Sequence, residues 1–178
     1  MENDVAKILL PQEELAEGIK RLGREISADY EGKELLIICV LKGSFVFAAD
    51  LMRQITIPCS IDFMAVSSYG AGTTTSGEVK IMLDVDTTLN GKHILIAEDI
   101  LDSGVTLSYL LNILSKREPA SLKVCTLLNK EDRRKTFVPV AYKGFDVPDE
   151  FLVGYGLDYA EKYRNLPFVG VLKREIYE

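Results

Sequence analysis

Long apolar runs are missing from this 178-residue sequence. No stretch approaches the ~20 residues that a membrane-spanning helix needs. The first residues, MENDVAKILLPQEEL, contain no basic segment followed by an apolar core, so we expect no secretory signal peptide. Both absences argue against a membrane protein or a secreted protein, and we predict a cytoplasmic one.

Cysteine and histidine are scarce. The three cysteines, Cys39, Cys59 and Cys125, are odd in number and widely spaced. We interpret them as reduced core residues and not as a disulfide framework. The single histidine, His93, precedes an apolar run and has no nucleophile motif near it, so we expect it at the surface.

An excess of positive charge is also absent. The chain has 21 Lys and Arg against 27 Asp and Glu, a formal net charge of −6. Nucleic-acid-binding domains usually show a basic excess, so this balance argues weakly against such a function. It leaves open a local cationic pocket for a phosphorylated small molecule. The length fits one domain, residues 1–178, with a sizeable core, and no internal repeat is visible.

The apolar pattern alternates between helical and strand periods. Helical spacing covers residues 11–30, and continuous apolar runs predict strands covered on both faces at 34–41, 92–97 and 122–128. The other predicted elements are helices at 45–55 and 104–116 and strands at 60–69, 78–83, 151–155 and 168–172. This order predicts an α/β fold with a mainly parallel sheet flanked by helices. Ligands of such sheets bind beyond the carboxyl ends of the strands. We therefore expect the loops at 42–44, 98–106 and 129–134 to converge.

One of these loops carries an unusual concentration of acids. In ILIAEDILDSGVTL, an apolar strand is followed by Glu98, Asp99 and Asp102, and then by the turn 103–106 that opens a helix. Free N–H groups at a helix start suit a phosphate, and Gly104 lets the backbone approach closely. Carboxylates repel phosphate, so Glu98 and Asp99 fit ribose hydroxyls or a hydrated Mg²⁺ better. Together they predict a ribose 5-phosphate site, although a plain helix cap beside solvated acids remains an alternative. The turn lacks the P-loop pattern.

The same segment resembles the phosphoribosyl-pyrophosphate-binding signature of type I phosphoribosyltransferases. Further segments are similar, in order, to the hypoxanthine-guanine branch of that family: VLKGSFVFAADL at 40–51, SSYGAGTTTSGEVKI at 67–81, LLNKEDRR at 127–134 and PDEFLVGYGLDYAEKYRNLP at 148–167. The resemblance covers nearly the whole chain from about Leu10. It implies the type I phosphoribosyltransferase fold, with a small hood built from the chain ends. It also implies purine salvage, in which the phosphoribosyl group passes from phosphoribosyl pyrophosphate to hypoxanthine or guanine, giving IMP or GMP and pyrophosphate.

The resemblance assigns roles around the acidic strand end. Glu98 and Asp99 match acids that hold the ribose hydroxyls directly or through Mg²⁺. Asp102 matches the acid near N7 of the purine, the proposed general base. The residues that match the 5-phosphate-binding turn are Asp102, Ser103, Gly104, Val105 and Thr106. Ser103 stands where Thr is frequent, and Val105 replaces a Lys found in some members, which removes one charge near the phosphate.

The resemblance assembles a pyrophosphate site from distant pieces. Lys42 and Gly43 match a loop that binds pyrophosphate and that has a non-proline cis peptide bond before the Lys. Arg164 matches a pyrophosphate-binding arginine, and Asp158 matches a ligand of a second Mg²⁺. Taken alone, residues 41–43 would be a basic turn that closes a strand.

The resemblance also implies a purine site and a lid. Phe151 matches the residue that stacks on the purine, Leu152 contacts the purine edge through its backbone, and Ile100 and Lys130 complete the pocket. The Lys130 ammonium has three donors and no acceptor, so it fits the 6-oxo group of hypoxanthine or guanine better than the 6-amino group of adenine. Ser68 and Tyr69 belong to a glycine- and threonine-rich segment that matches a lid over the site.

Two other functions remain open. An RNA-binding regulator on the same fold, like the pyrimidine attenuation proteins, is one alternative, and a phosphoribosyltransferase for adenine, orotate or xanthine is the other. Asp102 and the set Lys130, Phe151 and Asp158 favour the enzyme, and Lys130 argues against adenine. The resemblance further implies a homodimer or homotetramer that binds neither nucleic acid nor membranes.

Overall fold

The computed structural model describes residues 1–68 and 79–178. Its strands are β1 (Val5–Leu10), β2 (Leu35–Leu41), β3 (Cys59–Ser68), β4 (Val79–Leu83), β5 (His93–Leu101), β6 (Ser121–Asn129), β7 (Tyr142–Asp146), β8 (Leu152–Val153) and β9 (Val169–Leu172). Its helices are α1 (Gln12–Asp29), α2 (Phe45–Gln54), α3 (Val105–Ser115) and α4 (Arg174–Tyr177). None of the helices in the described ranges is long and apolar enough to cross a membrane.

A six-stranded sheet in the order β4-β3-β2-β5-β6-β7 forms the centre of the fold. β4 is antiparallel to β3, and all other neighbours in this sheet are parallel. Helices cover both faces, which explains the continuous apolar runs of the central strands. In β2, Ile37 packs into the cluster that contains α1 and α2, whereas Ile38 packs into the cluster that contains α3. The predicted α/β class is confirmed.

A second, three-stranded sheet forms the hood. Its order is β1-β9-β8, and both pairings are antiparallel, so the two chain ends meet in it. Val153 and Leu172 pack into a small cluster of their own, while Leu152 and Val171 reach the main core. The hood therefore stands against the central sheet at the position that the resemblance implied.

The main difference from the predicted elements lies in β5, which runs to Leu101 and does not end at Ala97. Glu98 pairs with Thr126 of β6, and Ile100 pairs with Leu128. The prediction stopped the strand where the apolar run stopped, but pairing with β6 continues for four more residues. Glu98 and Asp99 are thus strand residues and not loop residues.

Smaller differences concern two strands and the histidine. β1 and β7 were not predicted: β1 is apolar except for Lys7 but short, β7 is of mixed composition, and they pair with β9 and β6. The strand predicted at 151–155 is reduced to two residues. His93 is half-buried at the start of β5, where its Nδ1 lies 2.7 Å from the Ser121 hydroxyl. All three cysteines are free, as predicted, and Cys39 and Cys125 are buried.

Candidate active site

The loops that follow β2, β5 and β6 converge as predicted. The buried hydroxyl of Ser44, just after β2, lies 3.4 Å from the Glu98 carboxylate and accepts a 2.9 Å hydrogen bond from the Asp99 backbone N–H. The Lys130 N–H, just after β6, donates to the Leu101 carbonyl at 2.9 Å. Three parallel strand ends are therefore tied together by hydrogen bonds at one edge of the sheet.

Glu98 and Asp99 form an acid pair at this edge. Withdrawal from water, together with the neighbouring Asp99 carboxylate, raises the pKa of Glu98 well above its ordinary value. Withdrawal from water also raises the pKa of Asp99, and hydrogen bonds and the charge of Arg164 offset part of that rise. A side chain at Gly43 would collide with the Asp99 carboxylate, so the glycine is needed for this close approach. Two partly desolvated carboxylates side by side are a candidate cation site.

The turn after β5 leads directly into α3. Gly104, the residue before α3, has a φ of +83°, and a Cβ there would collide with the Thr136 carbonyl oxygen. Glycine is therefore required by the backbone conformation and by the neighbouring chain. The Ser103 hydroxyl accepts a 3.3 Å hydrogen bond from the Val105 N–H. Because the first N–H groups of a helix carry positive partial charge, this turn can hold an anion.

Arg134 fastens the turn from the other side. Its Nε donates to the Asp102 carbonyl at 3.0 Å, and its Nη2 contacts the Asn129 side-chain oxygen and the Leu101 carbonyl. The N–H groups of Lys135 and Thr136 both donate to the Ser103 carbonyl. Arg134, Lys135 and Thr136 therefore hold the turn through the backbone carbonyl oxygens of residues 101–103.

A second group of charged side chains comes from the segment after β2 and the segment 156–164. Lys42 follows a cis peptide bond after Leu41, the geometry that the resemblance implied. Arg164 donates from Nη1 to the Gly156 carbonyl at 2.7 Å and pairs with Asp158 at 3.3 Å. Glu161 contacts both cations, at 3.2 Å from Lys42 and 3.1 Å from Arg164. These hydrogen bonds, that of Lys42 first, lower the pKa of the Glu161 carboxyl.

The predicted purine pocket lies between the sheet edge and the hood. Lys130 is buried, and its ammonium donates to the Glu150 carbonyl at 2.9 Å. Phe151 remains 36% exposed, so one side of its ring is accessible. Tyr177 of α4 stacks on Phe151 with ring centroids 4.7 Å apart, and Tyr159 meets Phe151 edge-on at 5.5 Å. The aromatic platform therefore has three rings.

One cavity of about 1180 Å³ joins most of the predicted site. Predicted residues that line it are Lys42, Gly43, Asp99, Ile100, Asp102, Lys130, Phe151, Leu152, Asp158 and Arg164. Glu98 and residues 103–106 lie beside the cavity without lining it. Of the two predicted lid residues, Ser68 ends β3, and Tyr69 lies outside the described residues.

Among the described residues, several that contact the site received no role from the sequence, and Arg134, Glu161 and Tyr177 make the contacts described above. Arg134 and Glu161 fall inside the quoted segments 127–134 and 148–167 but received no role. Tyr177 is the penultimate residue, in a stretch that matched no motif. Arg134 could have been considered from the sequence, because it lies four residues after Lys130 in a loop that was expected to reach the site. The contacts of Glu161 with Lys42 and of Tyr177 with Phe151 join distant parts of the chain, so no local sequence pattern predicts them.

The acid pair fits a hard cation such as Mg²⁺, which prefers oxygen ligands. Within ranges 1–68 and 79–178, no group of three or more His, Cys, Asp or Glu side chains is arranged to hold a metal alone. Mg²⁺ is usually held by one or two carboxylates together with substrate phosphates and water. The residues present match that sparse arrangement.

Comparison with known families identifies the class. Residues 5–160 match the model of the phosphoribosyl transferase domain, and the chain belongs to this family. A match over most of the 178 residues includes β1 to β8 and the complete turn after β5.

Individual relatives indicate which branch of the family the chain is similar to. The chain is 51% identical over 178 residues to the hypoxanthine-guanine phosphoribosyltransferase of Bacillus subtilis, covering 100% of this chain and 99% of the relative. It is 52% identical over 177 residues to the bifunctional protein TilS/HprT of Listeria innocua, but it spans only 27% of that longer protein. The crystal structure of a hypoxanthine phosphoribosyltransferase from Staphylococcus aureus superposes with a TM-score of 0.97 at 47% identity, covering 100% of this chain and 97% of that one.

Proposed function

We propose that this protein is a hypoxanthine-guanine phosphoribosyltransferase of purine salvage. It transfers the 5-phosphoribosyl group from phosphoribosyl pyrophosphate to hypoxanthine or guanine and releases pyrophosphate. The observation that carries the proposal is the single cavity that joins the Lys130 ammonium to Asp99, Asp102 and the Lys42–Arg164 cations. A base, a ribose and an anionic leaving group need these three environments side by side.

The purine binds between Phe151 and the sheet edge. Lys130 already donates to a carbonyl oxygen, that of Glu150, and the 6-oxo group of a purine presents the same kind of acceptor. Ile100 and the Leu152 backbone complete the pocket, and Phe151 stacks on the ring face. Stacking of a base on an aromatic side chain contributes roughly 1–3 kcal/mol.

The ribose 5-phosphate binds at the end of β5. The turn Asp102–Thr106 holds the phosphate with backbone N–H groups and the hydroxyls of Ser103 and Thr106. Glu98 and Asp99 would accept hydrogen bonds from the ribose hydroxyls or hold one Mg²⁺, and Asp158 would hold a second Mg²⁺ on the pyrophosphate side. When bound, Mg²⁺ supplies positive charge that disperses the negative charge developing on the leaving group.

Asp102 acts as the general base. The bond between ribose C1 and the pyrophosphate oxygen breaks, the bond between C1 and the purine nitrogen forms, and the purine loses one proton. The exposed Asp102 carboxylate at the cavity wall accepts that proton near N7. Its negative charge also stabilises the cationic ribose centre of the transition state.

Pyrophosphate leaves towards Lys42, Gly43 and Arg164. The Lys42 and Arg164 side chains both line the cavity. The assignment of Ser68 and Tyr69 to a lid that excludes water from the activated ribose remains a prediction from the sequence, and Tyr69 lies outside the described residues. The single domain, the cytoplasmic location, the dimer or tetramer, and the lack of binding to nucleic acids and membranes remain predictions from the sequence.

The test is nucleotide formation with each base in turn. The protein is incubated with Mg²⁺, phosphoribosyl pyrophosphate and hypoxanthine, guanine, xanthine or adenine, and the products are quantified by chromatography. We expect product with hypoxanthine or guanine and none with adenine. Turnover in excess chelator would contradict the role of Mg²⁺. Folded protein that forms no product with any base would contradict the proposed enzymatic activity. It would favour the RNA-binding regulator, for which salt-sensitive RNA binding is the test.

A further inference from the structure

One carboxylate joins the two candidate pyrophosphate-binding cations. Glu161 Oε2 lies 3.2 Å from Lys42 Nζ, and Glu161 Oε1 lies 3.1 Å from Arg164 Nη2. Each carboxylate oxygen therefore has a different cation, 119 and 3 positions away in the sequence. A bridging phosphate group would use its oxygens in the same way.

The local backbone holds Glu161 in this position. Its φ is +62°, in the left-handed region that residues with side chains rarely adopt. Its N–H donates to the Asp158 carboxylate at 2.9 Å, and Tyr159 and Lys162 exchange backbone hydrogen bonds across the turn. The carboxylate is thus presented to the cations by a tight turn.

Arg164 does not depend on Glu161 for its own position. Its Nη1 donates to the Gly156 carbonyl at 2.7 Å, and its Nη2 pairs with Asp158 at 3.3 Å. Removal of the Glu161 charge would leave both contacts in place. The Lys42 side of the bridge is exposed, at 69% for the Lys42 side chain and 63% for Glu161, whereas the Arg164 side chain is 20% exposed. Exposed ion pairs are weak, so an incoming anion can displace the Glu161 carboxylate from Lys42, while Arg164 keeps its contacts with Gly156 and Asp158.

We propose that Glu161 is an internal competitor of pyrophosphate. Its carboxylate neutralises Lys42 and Arg164 while the site is empty and leaves them when pyrophosphate, or the pyrophosphate group of phosphoribosyl pyrophosphate, binds. Glu161 thereby lowers the affinity for pyrophosphate and favours its release as product. The inference rests on the proposed assignment of Lys42 and Arg164 to pyrophosphate.

The test is the affinity for pyrophosphate measured by calorimetry on the full chain in the presence of Mg²⁺. We expect Glu161→Gln to lower the dissociation constant by about two- to ten-fold, the range that one or two exposed ion pairs represent. Glu131→Gln is the matched control, because it removes the same charge from an exposed residue that pairs with neither cation. Its affinity should stay near that of the wild type.

A second variant and a second readout distinguish the loss of charge from a folding defect. Glu161→Asn removes the charge with a residue that tolerates positive φ, and it should also tighten binding. Product inhibition by pyrophosphate should become stronger in both variants. Unchanged or weaker pyrophosphate binding in folded Glu161→Gln and Glu161→Asn would overturn the inference.

Two further variants separate this inference from the site assignment. We expect Lys42→Met and Arg164→Gln to lose pyrophosphate affinity. Wild-type affinity in both would overturn the assignment of the site and the inference with it. Lost affinity in both, combined with wild-type affinity in Glu161→Gln, would overturn the role of Glu161 alone.

Discussion

We assign two regions at the cavity to anions, and they are built in different ways. The turn Asp102–Thr106 offers backbone N–H groups at the start of α3, with Gly104 in a conformation only glycine adopts readily. The second region consists of the side-chain cations Lys42 and Arg164, with Glu161 between them. The first region is contiguous in sequence, whereas the second is assembled from residues that are distant in sequence.

The two regions stabilise a bound anion by different electrostatic means. A helix start binds an anion with partial charges that are fixed by covalent geometry, so it needs no counter-ion when empty. Two full charges brought together repel each other, and a nearby carboxylate relieves that repulsion. We expect the turn to lose anion binding when its backbone conformation changes, and the Lys42–Arg164 region to change its anion affinity when a side-chain charge is removed.

The largest effect is expected at Asp102, where the turn meets the chemistry. Asp102→Asn removes the proton acceptor, and general-base help is typically worth ~10²–10⁴-fold in rate. We therefore expect kcat to fall by about that factor, with a far smaller loss of phosphoribosyl pyrophosphate binding. Steady-state kinetics and calorimetry measure the two quantities. Asp132→Asn, at an exposed residue that does not line the cavity, is the control. Unchanged turnover in Asp102→Asn would exclude Asp102 as the base.

The second prediction breaks the backbone region alone. Gly104→Ala places a Cβ at a φ of +83° and against the Thr136 carbonyl. The left-handed backbone costs roughly 1–2 kcal/mol, and the collision with Thr136 means that the turn itself must shift. If the turn bears this cost on binding, affinity for phosphoribosyl pyrophosphate falls by about 5- to 30-fold. Affinity for pyrophosphate should stay close to that of the wild type, because the cation region is untouched.

Gly91→Ala provides the matched control for this backbone change. Gly91 has a similar φ of +73°, but nothing lies within 4 Å of its added Cβ. Its folding stability should fall while its substrate affinity persists. Equal loss of substrate affinity in both variants would mean that Gly104 matters only for general stability.

The smallest effect is expected at Arg134, which acts on the turn through carbonyl groups. Arg134→Lys keeps the charge but loses the forked contact with Asp102, Leu101 and Asn129. Loss of one net hydrogen bond predicts an increase in KM for phosphoribosyl pyrophosphate of about three- to ten-fold. The pyrophosphate dissociation constant should not move, since a positioning role is confined to the turn.

Arg117→Lys is a suitable control for Arg134→Lys. Arg117 makes a forked contact with Asp84 in a part of the molecule that does not line the cavity. We expect its substrate KM to match the wild type. A similar KM increase in both variants would indicate a general effect of losing arginine forks.

Much of the fold was predictable because its signals are local. The runs 34–41, 92–97 and 122–128 are apolar on both strand faces, and each became a central parallel strand. The hood strand β1 and the edge strand β7 were missed, because each is short and its pairing partner is distant in sequence or not visible in its own composition. The extension of β5 to Leu101 was missed for the same reason, since β6 pairs with residues that look like a loop.

The candidate site divides in the same way. By itself the sequence determined the acids, the glycine turn and the three strand ends that must meet, because residue type and short spacing carry those signals. Only the tertiary structure decided that Arg134 fastens the turn, that Tyr177 stacks on Phe151, and that Glu161 lies between Lys42 and Arg164. The physical reason is that such contacts depend on how distant segments pack together, and no periodicity in the chain records them.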